Sequence, residues 1–244
     1  YSHTYLYPTS NEGWVDAQIR SDVSNGVGYV NYTAHGYEGG WADPSFTVSD
    51  VPYLNNASKY PLMVGNCCIT NQFESGTCFG EALLRAENKG AQGYIGGSNN
   101  TYWNEDYWWG VGSGAITANP TYEQTGPGAY DGLFHSYGQN FSQWYTCNSA
   151  IIMAGNLGVV QANGWANYYW EIYHLMGDPS LTTYLGIPET NLVSHLPFVT
   201  IGAEIVEIIA DPYSYAAVSK NGVLHGAGLV GENGSIDLYV EPFT

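Results

Sequence analysis

Apolar and polar positions follow three rhythms along this chain, and each predicts its own kind of element. Over residues 13–25 the apolar positions Trp14, Val15, Ile19 and Val23 recur near helical spacing, with Gly26 as a stop. Short runs rich in β-branched and aromatic residues lie at Val27–Thr33, Tyr60–Gly65 and Ala91–Gly96. They are too short for helices and are bounded by Gly-containing turns, so they read as buried strands. Between them, residues 37–45 read as a Gly-rich loop and Val48–Leu54 as a short helix or turn. Cys78–Lys89 reads as a helix with Phe79, Ala82, Leu83 and Ala86 on one side and Lys89 and Gly90 at its end. Strands alternating with helices imply a largely parallel α/β sheet with right-handed crossovers.

Three further stretches predict helices: Ala129–Tyr137, Phe141–Gly155 and the aromatic run Trp165–Met176, with a closing strand at Leu181–Tyr184. The segment Ser98–Gly112 is dense in aromatics and acids. It reads either as a core-facing helix start, where acids favour the first turn, or as a pocket with a negative floor and aromatic walls suited to an ammonium group. The proline-bearing stretch 186–197 marks a boundary. Beyond it the rhythm changes to short strands at Ile205–Ile209, Tyr215–Ser219, Val223–Leu229 and Ile236–Val240. Lys220-Asn-Gly222 and Glu232-Asn-Gly-Ser235 are the hairpin turns. The organisation is therefore residues 1–186 as an α/β unit and residues 187–244 as a small all-β module.

Composition narrows the function. Lys plus Arg is 5 against 22 acids, a net charge of -17 over 244 residues. That argues against nucleic acid and anionic membranes as partners, and favours bound Ca²⁺ or basic substrates. No apolar run approaches the roughly 18 residues of a membrane span. No signal peptide opens the chain, and the abrupt start at Tyr1 reads as a processed or expressed fragment. Four cysteines, Cys67, Cys68, Cys78 and Cys147, are too few for a disulfide scaffold, although a Cys78–Cys147 bond stays open. Their spacing with histidine matches no metal motif.

The candidate chemistry sits at the ends of the first two strands. One runs into Ala34-His35-Gly36, the other into Asn66-Cys67-Cys68. In an open parallel sheet ligand sites gather at the carboxyl ends of the strands, so His35 and Cys68 could meet there as base and thiol nucleophile. Gly36 permits the close backbone approach of an oxyanion site. The competing reading is a packed cysteine and a hydrogen-bonded core histidine. His174, near the end of the aromatic run, is a rival histidine and reads as a packed or helix-capping residue.

The stretches Asn31-Tyr-Thr-Ala-His-Gly36 and Gly65-Asn-Cys-Cys-Ile-Thr70 together resemble the gingipain family of cysteine endopeptidases, its lysine-specific members most of all. Cys78-Phe-Gly-Glu81, Tyr102-Trp-Asn-Glu-Asp-Tyr107, Tyr168-Tyr-Trp-Glu171 and Gly177-Asp-Pro-Ser180 recur in the same order. The resemblance implies a caspase-like α/β/α sandwich followed by an immunoglobulin-like module. That module is truncated here, since a complete sandwich takes about 100 residues. It implies a secreted or cell-surface bacterial peptidase acting through a Cys68 thioester, with His35 as acid and base and the N–H groups of Gly36 and Cys68 as oxyanion donors. Substrates would be proteins or peptides carrying lysine. Asp106 would take the lysine ammonium, assisted by Thr33 and Asn66 and lined by Tyr102 and Trp103. Structural Ca²⁺ would be held by Glu81 and the carbonyl of Phe73. The acid that orients the family's histidine lies upstream of the matched motifs, so the N-terminal part of the same precursor, as a separate chain, is an expected partner. The rival readings are a catalytically degenerate extracellular module that binds basic peptides or glycans, and a cysteine-dependent acyl transferase.

Overall fold

The structure is a computed structural model, and it describes residues 4–7, 14–74, 76–133, 140, 145, 147–183 and 190–243. The strands in chain order are β1 (Tyr29–Thr33), β2 (Gly36–Tyr37), β3 (Gly40–Ala42), β4 (Ser45–Thr47), β5 (Leu62–Asn66), β6 (Gly93–Gly97), β7 (Tyr173–Gly177), β8 (Ser194–His195), β9 (Ile205–Ile209), β10 (Tyr215–Lys220), β11 (Val223–Leu229) and β12 (Ser235–Tyr239). The helices are α1 (Trp14–Asn25), α2 (Phe79–Arg85), α3 (Trp103–Val111), α4 (Tyr122–Thr125), α5 (Asn148–Gln161) and α6 (Ala166–Ile172). Two compact units, 1–186 and 187–244, divide the chain.

The first unit is built on a mostly parallel sheet of order β1-β5-β6-β7, in which β1, β5 and β6 run parallel and β7 antiparallel. Every residue of β5 and β6 is buried, as expected for strands covered on both faces. The two-residue pleat sends alternate side chains to opposite faces. Met63 and Tyr94 join a core with Val15, Ile19 and Val23 of α1 and Phe79 and Leu83 of α2. Leu62, Val64 and Ile95 join a second core with Trp109 of α3, Ile151 and Val159 of α5, and Tyr169 and Ile172 of α6. The result is three layers, helices on either side of the sheet. Gly65 is required where it stands: a Cβ there would lie 1.8 Å from the Tyr94 hydroxyl, which accepts the Trp41 indole N–H on the same face of the sheet.

Several elements differ from their expected extents. The stretch expected as a loop after His35 is the antiparallel meander β2-β3-β4, closed by Trp41 paired with Phe46 and buried by both. Helix α2 stops at Arg85, and the Lys89–Gly90 signal serves the following turn, where Gly90 has φ +90°. Helix α5 starts at Asn148 and passes through Gly155 to Gln161. A Cβ at Gly155 would sit 2.4 Å from the Trp109 ring, so this glycine permits close helix packing and does not end the helix. The predicted start of that helix, at 141–144, and residues 134–137 lie outside the described residues. The aromatic run is not one helix to Met176. It leaves the helix after Ile172 and pairs along β6, because that sheet edge offers a row of unpaired backbone groups. β7 therefore holds the place expected of Leu181–Tyr184, of which Thr182 makes a single bridge to Cys147. Among the described residues all four cysteines are free, and no helix is long and apolar enough to cross a membrane.

The second unit carries two antiparallel sheets, β8-β9-β12 and β10-β11, over a core of Val206, Ile208, Leu238, Val240 and Phe243. Asn221 and Gly222, both at positive φ, form the two-residue turn between β10 and β11 that the Asn-Gly pair predicts.

Candidate active site

Parallel pairing of β1 and β5 places Thr33 opposite Asn66, so the segments that follow, with His35 and Cys68, leave the sheet at the same edge. Gly36 lies directly against the cysteines. A Cβ on it would stand 2.7 Å from Cys67 Sγ and 2.8 Å from the Cys68 carbonyl oxygen, so only glycine lets the two strand ends approach this closely. The His35 carbonyl is fixed by the Tyr32 hydroxyl at 2.7 Å and by the Ala42 N–H at 3.1 Å. Its ring is exposed and meets Trp103 edge-on, centroids 5.4 Å apart.

The two neighbouring cysteines differ in surroundings. Cys67 is 0% exposed, and burial pushes its thiol far above the ordinary range. Cys68 is half-buried and receives the Thr101 backbone N–H at 3.3 Å on its sulfur. Ile69, the next residue, has φ +47°, an outlier for a β-branched side chain. Such strain, of order 1–3 kcal/mol, persists where the surroundings over-determine the turn. The Ile69 N–H is held on the Asn99 carbonyl at 3.1 Å.

Beside these residues is a pocket of about 300 Å³. Thr33, Asn66, Asn104 and Asp106 supply its polar lining, and Trp103, Tyr107, Val111, Ile116 and Tyr130 complete the wall. Asp106, on the first turn of α3, is 5% exposed. It accepts the Thr101 hydroxyl at 2.7 Å on Oδ2, and the Tyr169 and Tyr173 hydroxyls at 2.9 and 3.0 Å on Oδ1. Burial raises its carboxyl from 3.8 to about 6, against the opposing pull of those three hydroxyls. Burial, with Asp106 beside them, lifts the tyrosines as well, so both stay protonated donors. Asn66 Nδ2 donates to the Asp106 carbonyl at 2.8 Å, and the single proton of the Tyr173 hydroxyl is shared between Asp106 Oδ1 and Asn66 Oδ1. Thr33 Oγ1 lies 3.2 Å from the Tyr130 hydroxyl.

The structure thus gathers Thr33, Asn66, Trp103 and Asp106 in one pocket, at the sheet edge where β1 and β5 lead into His35-Gly36 and Cys67-Cys68. Tyr102 lies outside the pocket lining, exposed and edge-on to Trp165 at 4.8 Å. His174 is not helical. It lies in β7 with Nε2 3.0 Å from Ser98 Oγ and its ring edge-on to Phe73. Glu81 caps α2 by accepting the Cys78 N–H at 3.0 Å. Among the described residues no group of three or more His, Cys, Asp and Glu gathers as for a metal. Sequence reading missed Thr101, Tyr130, Tyr169 and Tyr173. The one available signal was the four-residue spacing of Tyr169 and Tyr173, which suits a shared helix face and whose rings stack 5.3 Å apart.

Comparison with known proteins identifies the family and the fold. The profile of peptidase family C25 matches residues 1–184. The chain is 42% identical over 238 residues to Lys-gingipain of Porphyromonas gingivalis, covering 96% of this chain and 14% of that protein. It superposes on a solved protease structure at 40% identity and TM-score 0.82, covering 92% of this chain and 50% of the other. The Arg-specific cysteine proteinase gingipain R superposes at 21% identity and TM-score 0.76, over 93% and 50% respectively, which shows a shared fold. The chain thus spans about one seventh of the curated relatives it matches and half of the solved chains.

Proposed function

Because the chain belongs to peptidase family C25, we propose that the protein carrying it is a cysteine endopeptidase that cleaves after lysine, with Cys68 as nucleophile and His35 as acid and base. Cys68 passes its thiol proton to His35, and its Sγ attacks the scissile carbonyl carbon. The tetrahedral intermediate collapses to a thioester as the amine leaves with a proton from His35, and water activated by His35 then releases the acid and restores the thiol. The N–H groups of Gly36 and Cys68 serve the oxyanion, an effect worth roughly 3–4 kcal/mol per donor.

The observation that carries the reading is Asp106, a buried carboxylate in a pocket whose wall includes Asn66, two residues before Cys68. Apolar walls suit the methylene stem of lysine, and the Thr33 and Asn66 oxygens suit its ammonium. Three hydroxyls already occupy the Asp106 oxygens. That leaves room for a point charge more readily than for the two-pronged fork of arginine. The name of the Lys-gingipain relatives supports the same choice.

The finer readings rest on the family resemblance. We read the first unit as a caspase-like sandwich, which its three layers support. The second reads as an immunoglobulin-like module, supported by its two antiparallel sheets. A bacterial source fits the organism of the relatives, and the resemblance points to secretion or the cell surface. The N-terminal part of the precursor would supply the acid that orients His35. For Ca²⁺, Glu81 and the Phe73 carbonyl provide two of the six to eight oxygens this ion takes, and one Glu81 oxygen is engaged in the helix cap. This set alone does not make a site, and no catalytic step runs through the ion. Chelation that leaves the melting temperature unchanged would remove it from the account.

The test uses full-length protein and paired peptides differing only in Lys or Arg before the cleavage site, for wild type and Cys68→Ala. Cleavage after Lys that vanishes in the variant is the expected result. Equal cleavage of both peptides would overturn the Asp106 argument. No cleavage by well-folded wild type, with calcium and reductant present, would favour a binding module for basic peptides.

A further inference from the structure

The loop between β6 and α3 contains one residue that touches both groups the proposed reaction depends on. Thr101 donates its backbone N–H to Cys68 Sγ at 3.3 Å and its hydroxyl to Asp106 Oδ2 at 2.7 Å, while its carbonyl and hydroxyl oxygens stand farther from that sulfur, at 3.7 and 3.9 Å. The loop is pinned on either side: Ser98 N–H donates to the Ile172 carbonyl at 2.8 Å, and Tyr102 N–H to the Tyr169 hydroxyl at 2.8 Å. We propose that Thr101 is a positioning residue that couples the pocket to the nucleophile, its hydroxyl held on the pocket carboxylate so that its backbone N–H is aimed at the Cys68 sulfur. This rests on reading Cys68 as the nucleophile and Asp106 as the pocket floor.

An N–H aimed at sulfur stabilises the thiolate more than the thiol, because hydrogen bonds to a charged acceptor are the stronger ones. In a loop the direction of that N–H follows from the local backbone angles, and a 2.7 Å anchor from the same residue narrows them. A lysine ammonium entering the pocket favours the ionised form of Asp106 and so strengthens its bond to the Thr101 hydroxyl. The correct side chain thereby firms the donor on the nucleophile, and selectivity enters kcat as well as KM. The titratable groups around this link are Cys67 and Tyr168 on the sulfur side, with His35 as the proposed acid and base, and Glu105, Tyr130, Tyr169 and Tyr173 around the carboxylate.

The experiment compares full-length wild type, Thr101→Ser and Thr101→Val. It reads the pH profile of Cys68 alkylation by iodoacetamide, followed by peptide mass spectrometry, together with kcat and KM on a lysyl peptide. Iodoacetamide has no side chain for the pocket, so its rate reports the sulfur alone. For Thr101→Val the alkylation profile should move to higher pH and kcat should fall about three- to tenfold with KM changed less, the size expected for one lost hydrogen bond. Thr101→Ser, which keeps the hydroxyl, should restore both. An unmoved alkylation profile in folded Thr101→Val, or a rise in lysyl KM alone, would overturn the coupling. A second readout needs no Thr101 variant: the wild-type Thr101 amide resonance should follow the thiol's titration, and that response should vanish in Cys68→Ala. A flat Thr101 amide in wild type would overturn the proposal even if the valine variant does not fold. If wild type fails to cleave lysyl peptides while the alkylation profile shifts as described, the peptidase reading falls and the Thr101 link stands.

Discussion

Replacing Asp106 by asparagine separates what the pocket carboxylate does for recognition from what it costs the fold. The carboxyl is 5% exposed, and burial raises it from 3.8 to about 6. The folded protein therefore holds this proton more tightly than the unfolded chain does. Below about pH 4 both states carry it and the group leaves stability unchanged. As the pH rises from about 4 to about 6 the unfolded chain releases the proton first, so stability falls, and above about pH 6 the loss is complete. At 1.36 kcal/mol per pH unit, the gap between 3.8 and about 6 amounts to about 3 kcal/mol. Asparagine does not titrate. The stability difference between Asp106→Asn and the parent should move by about 3 kcal/mol in favour of the variant between pH 4 and pH 8. A constant offset is added to this, because the amide NH₂ cannot accept from Thr101 or the tyrosines. Denaturant unfolding at pH 4, 6 and 8, in a Cys68→Ala background to prevent self-cleavage, measures it. With Cys68 restored, kcat/KM on lysyl peptides should fall about a hundredfold or more, as for a buried charge left without its partner. A stability difference that does not change with pH would refute the assignment of Asp106 as a buried, ionisable pocket floor.

Three further outcomes follow from the same geometry. The kcat/KM for lysyl peptides should decline below about pH 6 as Asp106 takes up a proton. The same peptide with norleucine in place of lysine should lack that component, and an identical acid limb for both would contradict the argument. Gly36→Ala places a methyl 2.7 Å from Cys67 Sγ and 2.8 Å from the Cys68 carbonyl oxygen. It should lower stability by about 1–3 kcal/mol and activity by about tenfold or more, and unchanged melting and kinetics would count against the close approach of the strand ends. Cys67→Ala removes a fully buried thiol, so activity should persist at a stability loss of about 1 kcal/mol, and abolished activity would reverse the choice between the two cysteines.

What was legible in the sequence was the local part of the site. Leu62–Gly65 is uninterrupted and apolar because both faces of β5 are covered, and its end at Asn66-Cys67-Cys68 could be read without knowing its neighbours. The parallel pairing that joins it to β1 followed from the alternation of strands and helices. What was hidden depends on distant segments. Tyr169 and Tyr173 reach Asp106 across more than sixty positions of chain, and their four-residue spacing marks a shared face without saying that it meets the pocket. Tyr173 also stands where the aromatic run changes from helix to strand. Tyr, Ile and Leu suit either state, and the exposed edge of β6 decided it. Gly155 was misleading for a similar reason, since the ring of Trp109 that requires it comes from another helix.

The central claim is that Cys68 reacts under the direction of the Asp106 pocket. The most direct measurement is labelling of full-length protein with a peptidyl-lysyl chloromethyl ketone and its norleucyl analogue, with the modified residue located by peptide mass spectrometry. The account predicts one label, on Cys68, formed much faster by the lysyl reagent, with the difference lost in Asp106→Asn. Labelling on Cys67, or equal rates for the two reagents, would contradict it.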